Sequence, residues 1–237
     1  SYAAEIRYTK TQTVKLSKAL LNQNRVIQDD DHYDFSHAYK VLRTRVLQKM
    51  KEEGWNSIAV TSCNPNEGKT LTSINLALSL AMMKANHSVL LVDMDLRRPS
   101  VSNYLNLNTE FGINDYLEAG VPLDKILINP GIGRFVILPG NKPIKNSSEI
   151  LSSARLEHLV HDFKTRYPSR LVVFDLPPLL ASDDVLVFMP YVDAVLLVIE
   201  EGNTVSDDIK RAVQILGPEK LMGTVLNKSE EVVSTYY

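Results

Sequence analysis

The chain is poor in the features that mark a secreted or membrane-spanning protein. Its 237 residues include a single cysteine, which cannot form an internal disulfide and fits a reducing compartment. No run of about 18 apolar residues occurs, so no segment is predicted to span a membrane. The first residues are polar and charged, and we therefore expect no signal peptide. The net charge of −2 gives no excess of positive charge for nucleic acid, which we do not expect as a partner.

What the chain does contain indicates one α/β unit with a substantial core. Hydrophobic residues make up 44% and charged residues 23%, both ordinary for a soluble protein. The length is within the range of a single α/β domain. We predict that this domain covers residues 34–228, after an N-terminal segment of residues 1–33 and before a tail of residues 229–237.

The N-terminal segment, residues 1–33, differs from the rest in its charge. Five cations are balanced only by Glu5 until the acidic run Asp29–Asp31: Arg7, Lys10, Lys15, Lys18 and Arg25. One interpretation is a solvated arm with a marginal helix around residues 14–21. The other is a docking segment for a partner or an anionic membrane surface.

Strand and helix patterns alternate along the remainder of the chain. Apolar residues at spacings of three and four predict a helix over 35–50, capped by Asp34 or Ser36 and ended by Gly54. The further helices are predicted over 70–85, 153–167 and 204–217, and the strands over 57–62, 87–95, 134–140, 170–178, 193–202 and 221–228. The strands are continuous apolar runs, typical of strands buried on both faces. We therefore predict a doubly wound, mostly parallel sheet flanked by helices.

The stretch "TSCNPNEGKT" (61–70) lies between a predicted strand and a predicted helix. It ends in Gly68-Lys69-Thr70, as phosphate-binding loops do, but has Cys63 where the usual pattern has glycine. Gly68 allows close backbone approach, Lys69 can reach the β- and γ-phosphates, and the Thr70 hydroxyl can bind Mg²⁺. The alternative is an ordinary strand–helix turn, and Cys63 itself is expected to be a small, buried, inert residue.

Acidic residues end two other predicted strands. "LLVDMDLRRP" places Asp93 and Asp95 on one face at a strand end, and "LVVFDLPP" ends in Asp175. Ligands of doubly wound sheets lie beyond the carboxyl ends of the strands, so we expect these acids beside Lys69. The alternative for Asp93 and Asp95 is a pair of solubilising acids. Asn227 follows the last strand, where its amide could contact an adenine edge or simply form a turn.

Taken together, these motifs resemble the bacterial tyrosine kinases (BY-kinases) of capsule and exopolysaccharide synthesis, which are relatives of the deviant-Walker partition ATPases. The loop at 61–70 resembles their Walker A motif, and "LVVFDLPP" resembles Walker B. "LLVDMDLRRP" resembles their Walker A′ motif, D-x-D-x-R-x-P, which is the most specific of the three. The segments 137–153 and 178–199 are also similar to the family, and the resemblance runs over most of 34–228.

The resemblance implies transfer of the γ-phosphoryl group of Mg-ATP to tyrosine hydroxyls, with ATP and Mg²⁺ as cofactors. Lys69 would stabilise phosphate charge, and Thr70, Asp93 and Asp175 would hold the metal. Asp93 would also accept the tyrosine proton, while Asp95 and Arg97 would support charge placement. The nucleotide contacts implied are those of Asn66, Glu67, Gly68, Lys69, Thr70, Leu71 and Asn227.

The resemblance further implies where the protein acts and with what. It predicts an autokinase that regulates polysaccharide polymerisation and export from the cytoplasmic face of the membrane. A membrane chain-length determinant, that is, a polysaccharide co-polymerase, would recruit and activate it. Self-association and an opposing tyrosine phosphatase are expected as well.

The sequence departs from the family pattern at several positions. The ring-assembly motif E-x-x-R-x-x-R is represented by His37, Lys40 and Arg43, which puts assembly through this motif in doubt. The family's tyrosine-rich acceptor tail is reduced to "SEEVVSTYY", with Tyr236 and Tyr237 as acceptor candidates. Tyr2, Tyr8, Tyr33 and Tyr39 are weaker ones. Walker B is followed by Leu176 where the family commonly has threonine.

Three functions remain open on sequence alone. The first is the autophosphorylating kinase. The second is a regulatory P-loop ATPase or scaffold of the same machinery, which the altered ring motif and sparse tail favour. The third is a partition-type ATPase, which is disfavoured because Asn64 stands where that branch has its signature lysine.

Overall fold

A computed structural model describes residues 11–28, 34–83, 86–167 and 169–230 of the chain. Within these residues, eight strands form one sheet in the order β1-β4-β5-β3-β6-β2-β7-β8. All neighbours pair in parallel except β4 and β5, which are antiparallel. The strands are β1 (Gln12–Thr13), β2 (Ser57–Ser62), β3 (Ser88–Asp93), β4 (Ile128–Asn129), β5 (Phe135–Leu138), β6 (Arg170–Asp175), β7 (Ala194–Glu200) and β8 (Leu221–Asn227).

Helices cover both faces of this sheet, which confirms the predicted doubly wound, mostly parallel α/β fold. The α-helices are α1 (Lys18–Gln23), α2 (Asp34–Glu53), α3 (Lys69–Ala81), α4 (Val101–Leu105), α5 (Ile113–Ala119), α6 (Ser147–Leu151), α7 (Ala154–Thr165), α8 (Asp184–Phe188) and α9 (Ser206–Lys220). Across the described residues, none of the helices combines the length and apolar content needed to cross a membrane.

The central strands are apolar on both faces because two cores lie against them. In β2, for example, Ile58 and Val60 belong to the core under α2 and α3, whereas Ala59 belongs to the core under α7 and α9. Every residue of β2 is buried. The alternation of the strand period therefore sends successive apolar residues into opposite cores, which explains why the centre of β2, residues 58–60, is apolar on both faces.

The parallel register brings the strand ends to one edge of the sheet. Asp93 at the end of β3 pairs directly with Asp175 at the end of β6. Strand β2, on the other side of β6, delivers the loop that follows Ser62 to the same edge. The sheet thus positions the loop and the acids as the strand-end argument predicts.

The predicted solvated arm is wrong for residues 11–28. Strand β1 extends the sheet, and Leu21, Val26 and Ile27 are buried in the core under α2 and α3. The side chain of Asn75 on α3 accepts from the Ile27 N–H at 3.0 Å and donates to the Arg25 carbonyl at 3.0 Å. These long-range contacts attach the segment to the domain, so the fold extends beyond the predicted start at residue 34. The docking interpretation of residues 1–33 stays a prediction.

Two boundary predictions also need correction. Helix α2 begins with Asp34, so both residues predicted as its N-cap, Asp34 and Ser36, lie inside its first turn. The predicted helix over 204–217 corresponds to α9, which runs to Lys220 with a non-helical break at Gly217 (φ 69°, ψ 162°). Glycine adopts a positive φ at little cost, which suits Gly217 to this break. Pro218 is tolerated next to it because the hydrogen bond that its missing N–H would make is already lost at the break.

Candidate active site

The loop between β2 and α3 has the backbone of an anion-binding turn. Asn66 and Gly68 both have positive φ values, 67° and 93°. A Cβ on Gly68 would collide with the side-chain amide of Asn227, so only glycine fits there. Helix α3 begins at Lys69 with its N-terminus at the loop, where free backbone N–H groups attract phosphate.

Lys69 lies in a cluster of three acids, as the sequence predicts. Its Nζ is 2.8 Å from Asp95 Oδ2 and 3.7 Å from Asp175 Oδ2. Although burial opposes the charged form, the nearby carboxylates of Asp175, Asp95 and Asp93 raise the pKa of Lys69. The lysine is therefore a fixed cation held at the head of the loop.

Thr70 and Ser73, one turn apart on α3, both face Asp175. Thr70 Oγ1 donates to Asp175 Oδ2 at 2.7 Å and Ser73 Oγ donates to Asp175 Oδ1 at 3.0 Å. Asp175 is completely buried, and burial raises its pKa while Lys69 and these hydroxyls oppose the shift. Ser73 was not predicted from the sequence, although its spacing of three from Thr70 places it on the same helix face.

Asp93 is held by the loop that follows β3. Its Oδ2 accepts from the N–H groups of Ser100 and Val101 at 2.9 and 3.0 Å. Its Oδ1 is buried and lacks a hydrogen-bond partner among the described residues. Burial and the neighbouring Asp175 raise the pKa of Asp93 to about 8. A carboxylate with one committed and one uncommitted oxygen is suited to receive a cation or a proton.

These residues fit a magnesium site of the nucleotide-dependent kind. Within the described residues, no three His, Cys, Asp or Glu side chains converge as an all-protein metal cage. Mg²⁺ bound with a nucleotide needs no such cage, because one or two carboxylates, phosphate oxygens and water complete its shell. The unpartnered Oδ1 of Asp93, a residue that pairs with Asp175 in the strand register, is the observation that supports this fit.

The loop itself is held by residues of β7, β8 and the turn before α9. The buried Glu67 carboxylate accepts from the Asn64 N–H at 2.9 Å and from Thr204 Oγ1 at 2.6 Å. Asn227 Nδ2 donates to the Glu67 carbonyl and Lys228 Nζ to the Asn66 carbonyl, both at 2.9 Å. The amide that we predicted at an adenine edge therefore contacts the loop backbone.

Arg97, predicted to be catalytic, does not donate to the acids of the cluster. Its guanidinium forms a two-point ion pair with Asp184 on α8, with distances of 3.1 and 3.0 Å. Ser147 on α6 donates to the same carboxylate at 3.0 Å. This pairing raises the pKa of Arg97. Arg97 therefore links the loop after β3 to α6 and α8.

Three further residues in or beside the loop, Leu71, Asn64 and Cys63, contact the surrounding protein. Leu71 is half-buried in the first turn of α3, and its side chain packs against the core under α2. Asn64 Nδ2 donates to Asp208 Oδ2 at 2.8 Å. Cys63 is buried, and desolvation together with the charges of Glu67 and Asp208 raises its pKa to about 12. The expectation of an inert Cys63 agrees with these surroundings.

The three residues at the ring-motif positions on α2 differ in their exposure and contacts. His37 and Lys40 are exposed, whereas Arg43 donates to the Ser79 carbonyl near the end of α3 at 2.8 Å. Burial lowers the pKa of Arg43. Tyr39 is also unsuited to be an acceptor, because burial raises the pKa of its hydroxyl. Among the other acceptor candidates, Tyr2, Tyr8, Tyr33, Tyr236 and Tyr237 lie outside the described residues.

Comparison with known proteins places this geometry among nucleotide-binding domains. The family model of the CobQ/CobB/MinD/ParA nucleotide binding domain matches residues 58–235. The matched range includes the loop, both acidic strand ends and the last strand, and it covers more than half of the chain.

Two curated relatives are named tyrosine-protein kinases. The chain is 31% identical over 202 residues to Tyrosine-protein kinase etk of Escherichia coli (strain K12), covering 84% of this chain and 27% of that protein. It is 29% identical over 194 residues to Tyrosine-protein kinase YwqD of Bacillus subtilis (strain 168), covering 81% and 80%. The chain thus spans about a quarter of the E. coli relative's length and most of the B. subtilis relative's.

A solved structure of a kinase domain is also similar to this chain. The kinase domain of VpsO is 31% identical to this chain and superposes with a TM-score of 0.73. The match covers 83% of this chain and 96% of that domain.

Proposed function

Because this chain belongs to the CobQ/CobB/MinD/ParA family of nucleotide-binding domains, within the branch of the bacterial tyrosine-protein kinases, we propose that it transfers the γ-phosphoryl group of ATP to protein tyrosine hydroxyls. The observation that carries the proposal is the buried cluster at the sheet edge. There Lys69 and Thr70 of the loop contact Asp95 and Asp175, and Asp93 adjoins Asp175 in the strand register.

Each side chain of the cluster has a separate task in this reaction. Lys69, already a fixed cation, pairs with the β- and γ-phosphates, and Asp95 orients its ammonium group. Thr70, Asp93 and Asp175 would hold magnesium, which when bound neutralises charge on the phosphate oxygens. The N–H groups of the loop and of the first turn of α3 would donate to the phosphate oxygens.

Asp93 is the group that we assign to proton transfer. The tyrosine oxygen forms a bond to the γ-phosphorus as the bond from that phosphorus to the departing ADP oxygen breaks. The phenolic proton passes to the carboxylate of Asp93. A tyrosine hydroxyl with an ordinary pKa of about 10 needs such an acceptor, and Asp93 Oδ1 has no hydrogen-bond partner among the described residues that would compete for the proton.

The cellular role is proposed from the family resemblance. The kinase would act in capsule or exopolysaccharide synthesis at the cytoplasmic face of the membrane. A membrane co-polymerase of the chain-length-determinant type would recruit and activate it. Self-association would bring the tail tyrosines, Tyr236 and Tyr237, to a neighbouring site, and a tyrosine phosphatase would reverse the modification.

A second candidate function is a regulatory ATPase or scaffold of the same machinery. The specific observation in its favour lies on α2. His37 replaces the family glutamate, and Arg43, the remaining arginine of the ring motif, is committed to Ser79. A domain that assembles poorly would bind and hydrolyse ATP with little transfer to a neighbouring subunit.

A phosphotyrosine assay separates the two functions. The protein is incubated with Mg-ATP, with and without the co-polymerase, and both phosphotyrosine and released phosphate are measured. The kinase proposal predicts phosphotyrosine from the wild type and from the exposed-lysine control Lys210→Met, and none from Lys69→Met. Phosphate release without phosphotyrosine under any condition would support the scaffold. Signal that survives the double change Tyr236→Phe and Tyr237→Phe would move the acceptor elsewhere.

A further inference from the structure

We propose that Asn227 and Lys228 are positioning residues that hold the phosphate-binding loop in its nucleotide-ready shape, rather than contacts for the base. The proposal rests on nucleotide binding at the loop, which is part of the proposed function. It concerns two carbonyl oxygens of the loop, those of Asn66 and Glu67, and the two side-chain donors that reach them from the end of β8.

The loop needs external support because its backbone is unusual. Asn66 is a non-glycine residue with a φ of 67°, a conformation that L-residues other than asparagine and aspartate seldom adopt. Turning the N–H groups of such a loop toward an anion turns its carbonyl groups toward the surrounding protein or solvent. If no protein group donates to those carbonyls, water can hydrogen-bond to them in other loop conformations just as well. The anion-binding conformation then has no advantage over the others.

Asn227 supplies the first donor at close quarters. Its Nδ2 lies 2.9 Å from the Glu67 carbonyl and packs against Gly68 so tightly that a Cβ there would collide with it. The Asn227 backbone is fixed in turn, because its carbonyl accepts from the Glu201 N–H at 3.0 Å. The amide is thus directed at the loop by the sheet itself.

Lys228 supplies the second donor, and an ion pair with Glu200 holds it in place. Its Nζ is 2.9 Å from the Asn66 carbonyl and 2.9 Å from Glu200 Oε2 at the end of β7. The ion pair holds the ammonium group over the loop. Although the lysine side chain is 47% exposed, it has two acceptors, which an ordinary surface lysine lacks.

The Glu67 side chain makes the third attachment, and it explains an acid within an anion-binding loop. Only 1% of Glu67 is exposed, and its two carboxylate oxygens accept from the Asn64 N–H and Thr204 Oγ1. Thr204 Oγ1 also accepts from the Glu200 N–H at 2.7 Å. The turn after β7 therefore contacts the Glu67 side chain, and the end of β8 contacts the carbonyl groups of the loop.

The two possible roles of Asn227 predict different ligand dependence. If Asn227 reads the adenine edge, its loss weakens only ligands that contain adenine. If Asn227 and Lys228 position the loop, their loss weakens every ligand held through phosphates, with or without a base. One lost hydrogen bond of this kind is expected to weaken binding by about fivefold to tenfold.

The test measures dissociation constants for ATP, GTP and inorganic tripolyphosphate with the full chain. Asn227→Ala and Lys228→Met are compared with Asn103→Ala and Lys210→Met, which change exposed side chains that form no hydrogen bond with the loop among the described residues. Similar losses for all three ligands are expected from the first pair and none from the second. Lys228→Arg, which keeps a donor, should restore most of the affinity. Unchanged affinities, or a loss confined to ATP, would overturn the proposal.

A second measurement keeps the proposal independent of phosphotyrosine formation. Hydrogen exchange of loop residues 63–68 in nucleotide-free protein should be faster in Lys228→Met than in Lys210→Met, with exchange elsewhere unchanged. Where transfer to tyrosine can be measured, KM for ATP should rise while kcat changes little. A protein that fails the phosphotyrosine assay but shows these exchange and affinity differences would refute the kinase function alone.

Discussion

The exposed Arg97 and the buried Asp184 form a two-point ion pair that joins the loop after β3 to α8. Arg97 Nε and Nη2 lie 3.1 and 3.0 Å from the two oxygens of Asp184, which is itself 0% exposed. The arginine belongs to the same motif as Asp93 and Asp95, so the pair fixes the position of the loop that carries Asp95 and follows Asp93 at the end of β3. Its geometry matches the planar fork of arginine and not the single point of lysine.

We expect Arg97→Ala to destabilise the protein by about 2 kcal/mol, because it leaves a buried carboxylate without its cation while the arginine's own exposure limits the loss. Arg97→Lys should recover only part of this stability. Urea unfolding measures both, and Arg98→Ala, an exposed neighbour, is the matched control. Equal stability of the Arg97→Ala and Arg98→Ala variants would show that the pair contributes nothing measurable.

The Asp93→Asn variant should be more stable than the wild type without Mg²⁺, by about 1 kcal/mol, while losing phosphotransfer. The reason is that above its pKa of about 8 Asp93 is a buried carboxylate beside Asp175, its acidic partner in the register, so stability is compared at about pH 9. Urea unfolding in the presence of a chelator gives the stability, and Asp124→Asn, at an exposed position, controls for the general effect of losing a charge. A less stable Asp93→Asn variant would contradict the repulsion argument.

Asp193 should stabilise the fold at neutral pH and lose this effect in acid. Burial opposes its ionisation, but Lys164 at 2.6 Å and the donors of Asn56 and Ser57 lower its pKa. A lowered folded pKa means that the contribution is complete above the unfolded value of about 4 and disappears as the pH falls through the folded value. Asp193→Asn should therefore cost about 1–3 kcal/mol at pH 7 and progressively less below pH 4.

Urea titrations of this variant at several pH values provide the measurement. The exposed Asp207 serves for comparison, since Asp207→Asn should change stability little at any pH. A penalty for Asp193→Asn that stays constant down to pH 3 would mean that packing, not the ionised carboxylate, is what the variant loses.

Cys63 should react slowly with thiol reagents in the native protein. Its pKa of about 12 leaves almost no thiolate at pH 8, and the side chain is buried. The chain has one cysteine, so any labelling reports on this residue alone. We expect little reaction with a disulfide reagent at pH 8 and complete reaction after unfolding in guanidinium chloride. Fast labelling of the folded protein would show that the loop opens often.

The parts of the fold that the sequence predicts are those with a strong local signal. Strands such as β2 and β6 have apolar centres, residues 58–60 and 171–174, and Lys69 and Thr70 follow from a loop motif between a strand and a helix. The strand-end rule then places Asp93 and Asp175 together without knowledge of any contact. The short helices α4, α5, α6 and α8, of five to seven residues, have too few turns to show a period and were not predicted.

What sequence reasoning misses depends on pairs that are distant along the chain. The attachment of residues 11–28 depends on the meeting of Asn75 with Ile27, and a basic composition alone suggested a solvated arm. Arg97 lies in the motif of the acids, but its ion-pair partner Asp184 lies 87 positions later and was not predicted. Asn227 has the right residue type for a base contact, but the sheet directs it to the Glu67 carbonyl.

The phosphate-binding loop and the two residues that hold it, Asn227 and Lys228, lie far apart in the sequence, and this matters during synthesis of the chain. Asn227 and Lys228 stand 160 and 162 positions after the carbonyls that they hold. A ribosome that has completed β2 and α3 has made every residue of the loop motif but neither of these donors, because the N-terminal part of a chain emerges first. The loop therefore gains its full support only when the last strand joins the sheet. Tight retention of nucleotide would then distinguish finished chains from truncated ones, and the ligand would add its stabilisation only to the finished product.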